Sequence, residues 1–579
     1  MLAPASLAVR HVPASALALA CALWAAPTLA GDPSAMRPVD LRLPQDAPRH
    51  LHKAWIAALQ APLPAAAELS PRGVLPADTR YLNPLGQLGH YQANGPVDVK
   101  RNAFFQSLGS NGRSCASCHL PSDGMSISVA SLRRLWAATG GRDPVFAPVD
   151  GANCPNQVPN GNTRAALLGG RLGGARSLPA ASAHSLLLER GLFRVFLPLP
   201  KTTADLSPYG GETAHPTEFT LTVVSDPLGC NTDPAYSTVV DPVTQESTRI
   251  VSVYRRPRMS ANMKYMDRPA LSTLGGGPLD NIDFVTGARV VDTATGLPIS
   301  GNLMWDGREP TLESQARSAT LGHAQATTPP TAAQIAEIVA FERAAFSAQA
   351  WSWWAGDLTG AGGLYKGQGG PKPLATGTPA FVATGFALYD AWAAGAVDPG
   401  AWATTAYRQS IARGQAIFNS RSFTLQGVAG FNNATLLGVT NPTTTTCSSC
   451  HGNLGAGSDP LPAGQRAIGI GGGQVSAGGP APSKALPIFK LSCRAPYRTP
   501  FDGTEVLTND PGLALITGRC ADIGRRSVPQ LRALAARAPY FSDGSVETLR
   551  GVVDFYDARF GLKLDAQGKA DLANFLGAL

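Results

Sequence analysis

Several stretches of the chain carry apolar residues at helical spacing. In SVETLRGVVDFYDARF, Leu549, Val552, Val553 and Tyr556 recur at i, i+3, i+4 and i+7, which predicts an amphipathic helix with the phenol on its buried face. DAQGKADLANFLGAL sets Leu572, Phe575, Leu576 and Leu579 on one face behind an Asp565 cap. Tyr407, Ile411, Gly414 and Phe418 form a third stripe. Thr311 caps a fourth helix on which Leu312, Gln315, Ala316 and Ala319 share a face, where a glutamine calls for a partner. In RRPRMSANMKYM, the spacing of Met259, Met263 and Met266 places them together if a helix forms there, as core filler or as thioethers able to ligate a metal.

Between these stretches the chain is rich in glycine and proline. Its 62 Gly and 48 Pro make up about a fifth of 579 residues, above ordinary usage and short of the disordered regime, so long ordered irregular segments are expected. GIGGGQVSAGGPAPS reads as a loop, and no glycine run leads into the Gly-Lys-Ser/Thr of a phosphate cradle. The length calls for two to four domains. A net charge of +8 without a Lys/Arg run argues against a nucleic-acid partner.

Arg10 and His11 precede ALALACALWAAPTLA, a short apolar run ending in small residues, with Thr28 and Ala30 placed as a cleavage site before Gly31. Residues 1–30 therefore read as a signal peptide and the mature protein as exported. That run is short for a bilayer span, and no other stretch approaches the roughly twenty apolar residues of a membrane helix, so stable membrane insertion is not expected.

Nine cysteines then become informative. Cys21 falls in the signal, and four others make the repeated motifs Cys115-x-x-Cys118-His119 and Cys447-x-x-Cys450-His451. Cys154, Cys230, Cys493 and Cys520 remain, an even number in an oxidising compartment. Proximity favours Cys154 with Cys230 and Cys493 with Cys520, although four cysteines permit three pairings.

Cys-x-x-Cys-His is the attachment signature of c-type haem. Two thiols form thioethers to the vinyl groups, and the adjoining histidine is carried under the iron as its proximal ligand. A zinc site would need paired motifs, and these stand far apart. Two covalently attached haems are expected, on His119 and His451. After His451 there is no further histidine and no methionine follows Met304. The second iron is left with Tyr497, Tyr540, Tyr556, a lysine, a residue from the first half, or an open position.

From here the chain resembles a family, the bacterial di-haem cytochrome c peroxidases and their relative MauG. The likeness is clearest in DPGLALITGRCADIGRRSVPQLRALAARAPYFSDGSVETLRGVVDFYD, similar to the family's VPxLRN segment, APYFHDG loop and following helix. Aligned on that loop, Tyr556 falls where the peroxidases place an axial methionine and MauG an axial tyrosine, and Ser542 replaces the usual loop histidine. NLMWDGREPTLESQA is similar to the family's FWDGR…LEEQA. By that resemblance Trp305 lies between the haems as a bridge for electrons, and Gln315 belongs to the distal pocket of the first haem. Where the family has a glutamate that assists peroxide cleavage, this chain has Gln325. His323, two residues earlier, is a side chain able to transfer protons near neutral pH. The stretch between His119 and Trp305 is far longer than the family's and forms an insertion.

These readings imply a mainly α fold of two cytochrome c-like haem domains, with long irregular loops and a large insertion in the first. The expected divisions are a signal peptide (1–30), an N-terminal extension (31–100), the first haem domain with its insertion (101–345), a connecting segment (346–400) and the second haem domain (401–579). The resemblance implies a periplasmic oxidoreductase that reduces hydrogen peroxide with electrons from a small donor protein, and a calcium ion between the domains. Three alternatives stand beside it: a MauG-like oxidase of a protein or organic substrate, an oxygenase like the di-haem rubber-cleaving enzymes, and a non-catalytic electron-transfer cytochrome.

Overall fold

The computed structural model describes residues 73–158, 180–203, 214–240, 244–266, 303–360, 367–376, 385–393, 402–431, 442–452, 456–458, 465–471, 480–500 and 503–579. The segment expected as a signal peptide (1–30), and with it Cys21, lies outside the described residues.

The fold is not mainly α. Helices of every kind hold 35% of the described residues and strands 21%, spread over six sheets. The correction has a physical cause. Segments that read as irregular because Gly and Pro surround them contain short runs of β-branched and aromatic residues, FTLTVVS, STRIVSVYR, IFKLSC and EVLT among them. Such runs suit a pleated, half-buried surface.

Strands β1 (Asp78–Asn83) and β2 (Gly86–Gln92) form an antiparallel hairpin. β2 then pairs with a strand at Ala345–Ser352, which closes on Gly356–Asp357 to complete four strands. The segment between the first motif and Trp305 supplies β3 (Phe193–Pro198), β4 (Phe219–Ser225), β5 (Thr238–Val240) and β6 (Ser247–Arg255). β6 is the centre of a three-stranded sheet with β3 and β5. β4 leaves its neighbours and pairs, Phe219 with Cys493 through Ile488 with Ser225, against β7 (Ile488–Cys493), which also pairs with β8 (Glu505–Thr508). Phe219, Leu221, Val251, Val253, Phe489 and Leu491 bury together, so the insertion shares a core with the C-terminal part of the chain.

Both expected disulfides form, Cys154 with Cys230 and Cys493 with Cys520.

The helices follow the apolar stripes. α1 (Leu312–Gly322) begins at Thr311, whose hydroxyl accepts from the Ser314 amide at 3.1 Å. α2 (Trp402–Ser420) packs against α4 (Ala566–Gly577), and a Cβ at Gly414 would run into the backbone carbonyl of Asp571, so the glycine sets how closely the two helices approach. α3 (Leu549–Phe560) is capped by Thr548 and ended by Gly561 in the left-handed region. Asp565 accepts the Gly568 amide at 2.7 Å, as its capping role requires. The methionine stretch does not form the helix on which its three sulfurs would meet. Asn262 at φ 60° breaks it, leaving one turn at Met263–Tyr265. Among the described residues no helix is long and apolar enough to cross a membrane.

Candidate haem-binding cavities

Each Cys-x-x-Cys-His motif is one tight helical turn with a reciprocal hydroxyl cap. Ser114 and Ser117 close the first turn, Thr446 and Ser449 the second. In both, the histidine amide donates to the carbonyl of the first cysteine at 3.0 Å. The chain then doubles back, and each imidazole meets a carbonyl six residues on: His119 Nδ1 lies 2.9 Å from the oxygen of Met125, His451 Nδ1 2.7 Å from that of Gly457. A carbonyl oxygen only accepts, so Nδ1 carries the proton and Nε2 keeps its lone pair. Burial holds both imidazoles neutral, pushing His451 down to about 4 and lowering His119. An aromatic ring stands beside each, Phe104 at 6.5 Å from His119 and Phe418 at 6.3 Å from His451, centroid to centroid.

The two motifs open into two large, mainly apolar cavities enclosing about 1340 Å3 at the first and about 1760 Å3 at the second, open solvent at the mouths included. The four motif thiols are free of disulfides and line these walls, and burial pushes those of Cys118 and Cys447 up to about 12.

Trp305 lines both cavities, together with Arg256, Pro257, Arg258 and Met259. Its indole Nε1 donates to the Arg256 carbonyl at 2.7 Å, and the Arg258 guanidinium stands 5.4 Å from the ring centre. Gln315 and His323 line the first cavity. Gln325 does not; its backbone carbonyl takes the Ser110 amide and hydroxyl. Met263 and Met266 border the first cavity.

At the second cavity Leu549, Val552, Val553 and Tyr556 all face inward from α3, as their spacing predicts. The Tyr556 ring lies 6.5 Å from that of His451, nearly edge-on at 77°, and burial raises its phenol. Tyr540 also faces this cavity, but its hydroxyl donates to the Leu534 carbonyl at 3.0 Å, and Tyr497 lies elsewhere, stacked on His215. Ser542 borders the same wall, where its carbonyl accepts from the Arg256 amide at 2.8 Å.

These residues fit haem. Each cavity joins two thiols to an imidazole with a free Nε2, and the arginines add a demand for carboxylates. One guanidinium nitrogen of Arg256 (Nη1) and one of Arg537 (Nε) are buried at the second cavity without a hydrogen-bond partner among the described residues. Burial and the Arg537 charge depress Arg256 to about 9, and burial lowers Arg537 to about 10. Buried cations in this state want anions, and the propionates of a haem would supply them. For calcium the position differs. Among the described residues no group of three or more His, Cys, Asp or Glu side chains is placed to hold a metal ion.

Sequence reasoning missed Arg113 and Asp150. Both are buried beside the first motif, where Arg113 pairs with Asp150 and Asp150 in turn meets His323. Only tertiary structure brings positions 113, 150 and 323 together.

No family model matches the chain. It is 40% identical over 81 residues to cytochrome-c peroxidase IdrP1 of Pseudomonas sp. (strain SCT), a match of 12% of this chain and 21% of that protein. The chain thus spans about a fifth of the length of the curated relative it matches. A crystal structure of a MauG-like protein associated with microbial copper homeostasis aligns with 55% of this chain and 87% of its own at 18% identity, with a TM-score of 0.22.

Proposed function

We propose that the protein is a periplasmic di-haem c-type oxidoreductase that reduces hydrogen peroxide with electrons from a small donor protein. The observation that carries this reading is the pair of cavities, each with its own Cys-x-x-Cys-His turn, meeting at a common wall that contains Trp305. The partial likeness to a protein named as a cytochrome-c peroxidase supports it.

Cys115, Cys118 and His119 would hold one haem, Cys447, Cys450 and His451 the other, and bound haem supplies one-electron redox chemistry at iron. In this reading Tyr556, beside His451, would offer its phenol oxygen to the haem that His451 holds, and the first cavity would receive the oxidant. Gln315 offers an amide to hydrogen-bond and orient a small oxidant there, and His323 exchanges protons with it. Trp305 fills the wall through which electrons would pass. A second reading, oxidation of a protein or organic substrate in the MauG manner, draws on the placement of Tyr556 beside His451.

The test is an absorption and EPR titration of the purified haem-loaded protein with hydrogen peroxide, followed by reduced cytochrome c. A rapid oxidation that the cytochrome reverses supports the peroxidase. No reaction in either the oxidised or the half-reduced state overturns it in favour of an oxygenase or an electron carrier.

A further inference from the structure

We propose that His323 is the proton-accepting base of the first cavity and that Asp150 and Arg113 are the positioning residues that fix its orientation and tautomer. The inference rests on the functional reading above, since it needs the first cavity to take a small acidic ligand.

His323 follows the last turn of α1, with its side chain 41% exposed and also lining the cavity, so it touches both solvent and the interior. Its Nδ1 lies 2.6 Å from Asp150 Oδ2. Burial alone would raise the Asp150 carboxyl; the Arg113 guanidinium and the His323 hydrogen bond outweigh it and hold the group below its ordinary range. An ionised carboxylate only accepts, so Nδ1 carries hydrogen and Nε2 is left to take a proton.

The support beneath is rigid. Asp150 is 1% exposed and Arg113 2%. Arg113 also donates to the carbonyls of Pro144 at 2.7 Å, Val145 at 2.6 Å and Ala147 at 3.2 Å, which ties the insertion to the segment entering Cys115. Asn111 Nδ2 donates to the His323 carbonyl at 2.8 Å and holds the backbone as well. An imidazole aligned by a buried carboxylate, with its other nitrogen unprotonated, is the arrangement of a general base. A carboxylate at position 325 is not needed for that task. The other titratable groups around His323 are the neutral His119 imidazole and, along the cavity wall, Arg258, Arg308 and Glu342.

Hydrogen cyanide tests the base without turnover. It enters neutral, its proton passes to His323 Nε2, and the cyanide anion stays in the cavity while the proton later leaves to solvent. The experiment measures the pH dependence of cyanide association with the haem-loaded protein, wild type and variants, alongside haem content and absorption spectra. In wild type the rate should fall on the acid side of one inflection. His323→Gln should slow association by about 10² or more and remove that inflection. Asp150→Asn should slow it less, because the imidazole loses the partner that fixes its orientation and tautomer; Asp150→Glu should recover part of the loss. Should Asp150→Asn fail to fold, His323→Gln decides alone. Cyanide association in His323→Gln with the wild-type rate and profile would overturn the inference and leave the functional reading standing. A wild-type protein that binds no cyanide at either haem would overturn both.

Discussion

Tyr556 stands edge-on to His451, the two rings 6.5 Å apart across the second cavity, and it is the tyrosine there whose hydroxyl is not given to the Leu534 carbonyl. Substitution by phenylalanine keeps the ring packing and removes the oxygen. Tyr556→Phe is expected to alter the absorption and EPR signature of one haem and leave the other unchanged, with full haem content. An unaltered spectrum would remove Tyr556 from the ligand set.

Trp305 lines both cavities and donates a hydrogen bond to the Arg256 carbonyl. Trp305→Phe retains an aromatic ring but loses the second ring and the donor. Redistribution of a single electron between the haems, followed by rapid mixing after half-reduction, should slow severalfold while each haem keeps its own spectrum. Equal rates in the two proteins would place the electron path elsewhere.

Next to Trp305, Asp306 is fully buried and paired with Arg255 and Arg308, and Asp510 with Arg255 and Arg526. Burial by itself would raise both carboxyls; the arginines more than offset it and hold both below the ordinary range. A depressed folded pKa contributes stability that is present above the unfolded value, about 3.9, and lost as pH falls through the folded one. Denaturant unfolding should therefore show little change from these groups between about pH 5 and about pH 7, and a steep loss below about pH 4. Asp306→Asn should cost about 3–5 kcal/mol at neutral pH, since it strands buried arginine charge. A flat profile down to about pH 2 would refute the assignment.

The disulfides close loops of different length, with sequence separations of 76 for Cys154–Cys230 and 27 for Cys493–Cys520. Chain entropy then makes the first worth more by roughly 1 kcal/mol, within a range of about 3–5 kcal/mol each. Serine pairs at each site, compared by thermal unfolding, should rank in that order.

What was legible in the sequence was local. The Cys-x-x-Cys-His turns, the Thr311 and Asp565 caps and the inward face from Leu549 to Tyr556 each depend on residues within a few positions of one another, and each appears where its spacing puts it. The strands were missed because their partners lie far away: nothing near Phe219 announces Ile488–Cys493. The methionine spacing left open whether a helix forms there, and Asn262, with its left-handed backbone, decides against it. Asp150 gave no signal because a lone aspartate before a glycine reads as a turn, and its value comes from Arg113 and His323.

The pairing of β4 with β7 also bears on how the molecule can be divided. Phe219 and Leu221 bury against Phe489 and Leu491, so a fragment ending between the haem motifs would carry an open strand edge and half a core. The reciprocal fragment would expose the other half. Neither piece is self-sufficient; the segment between Cys118 and Trp305 acts as a splint, and the first part of the chain must wait for residues near its far end before its own sheet is sealed.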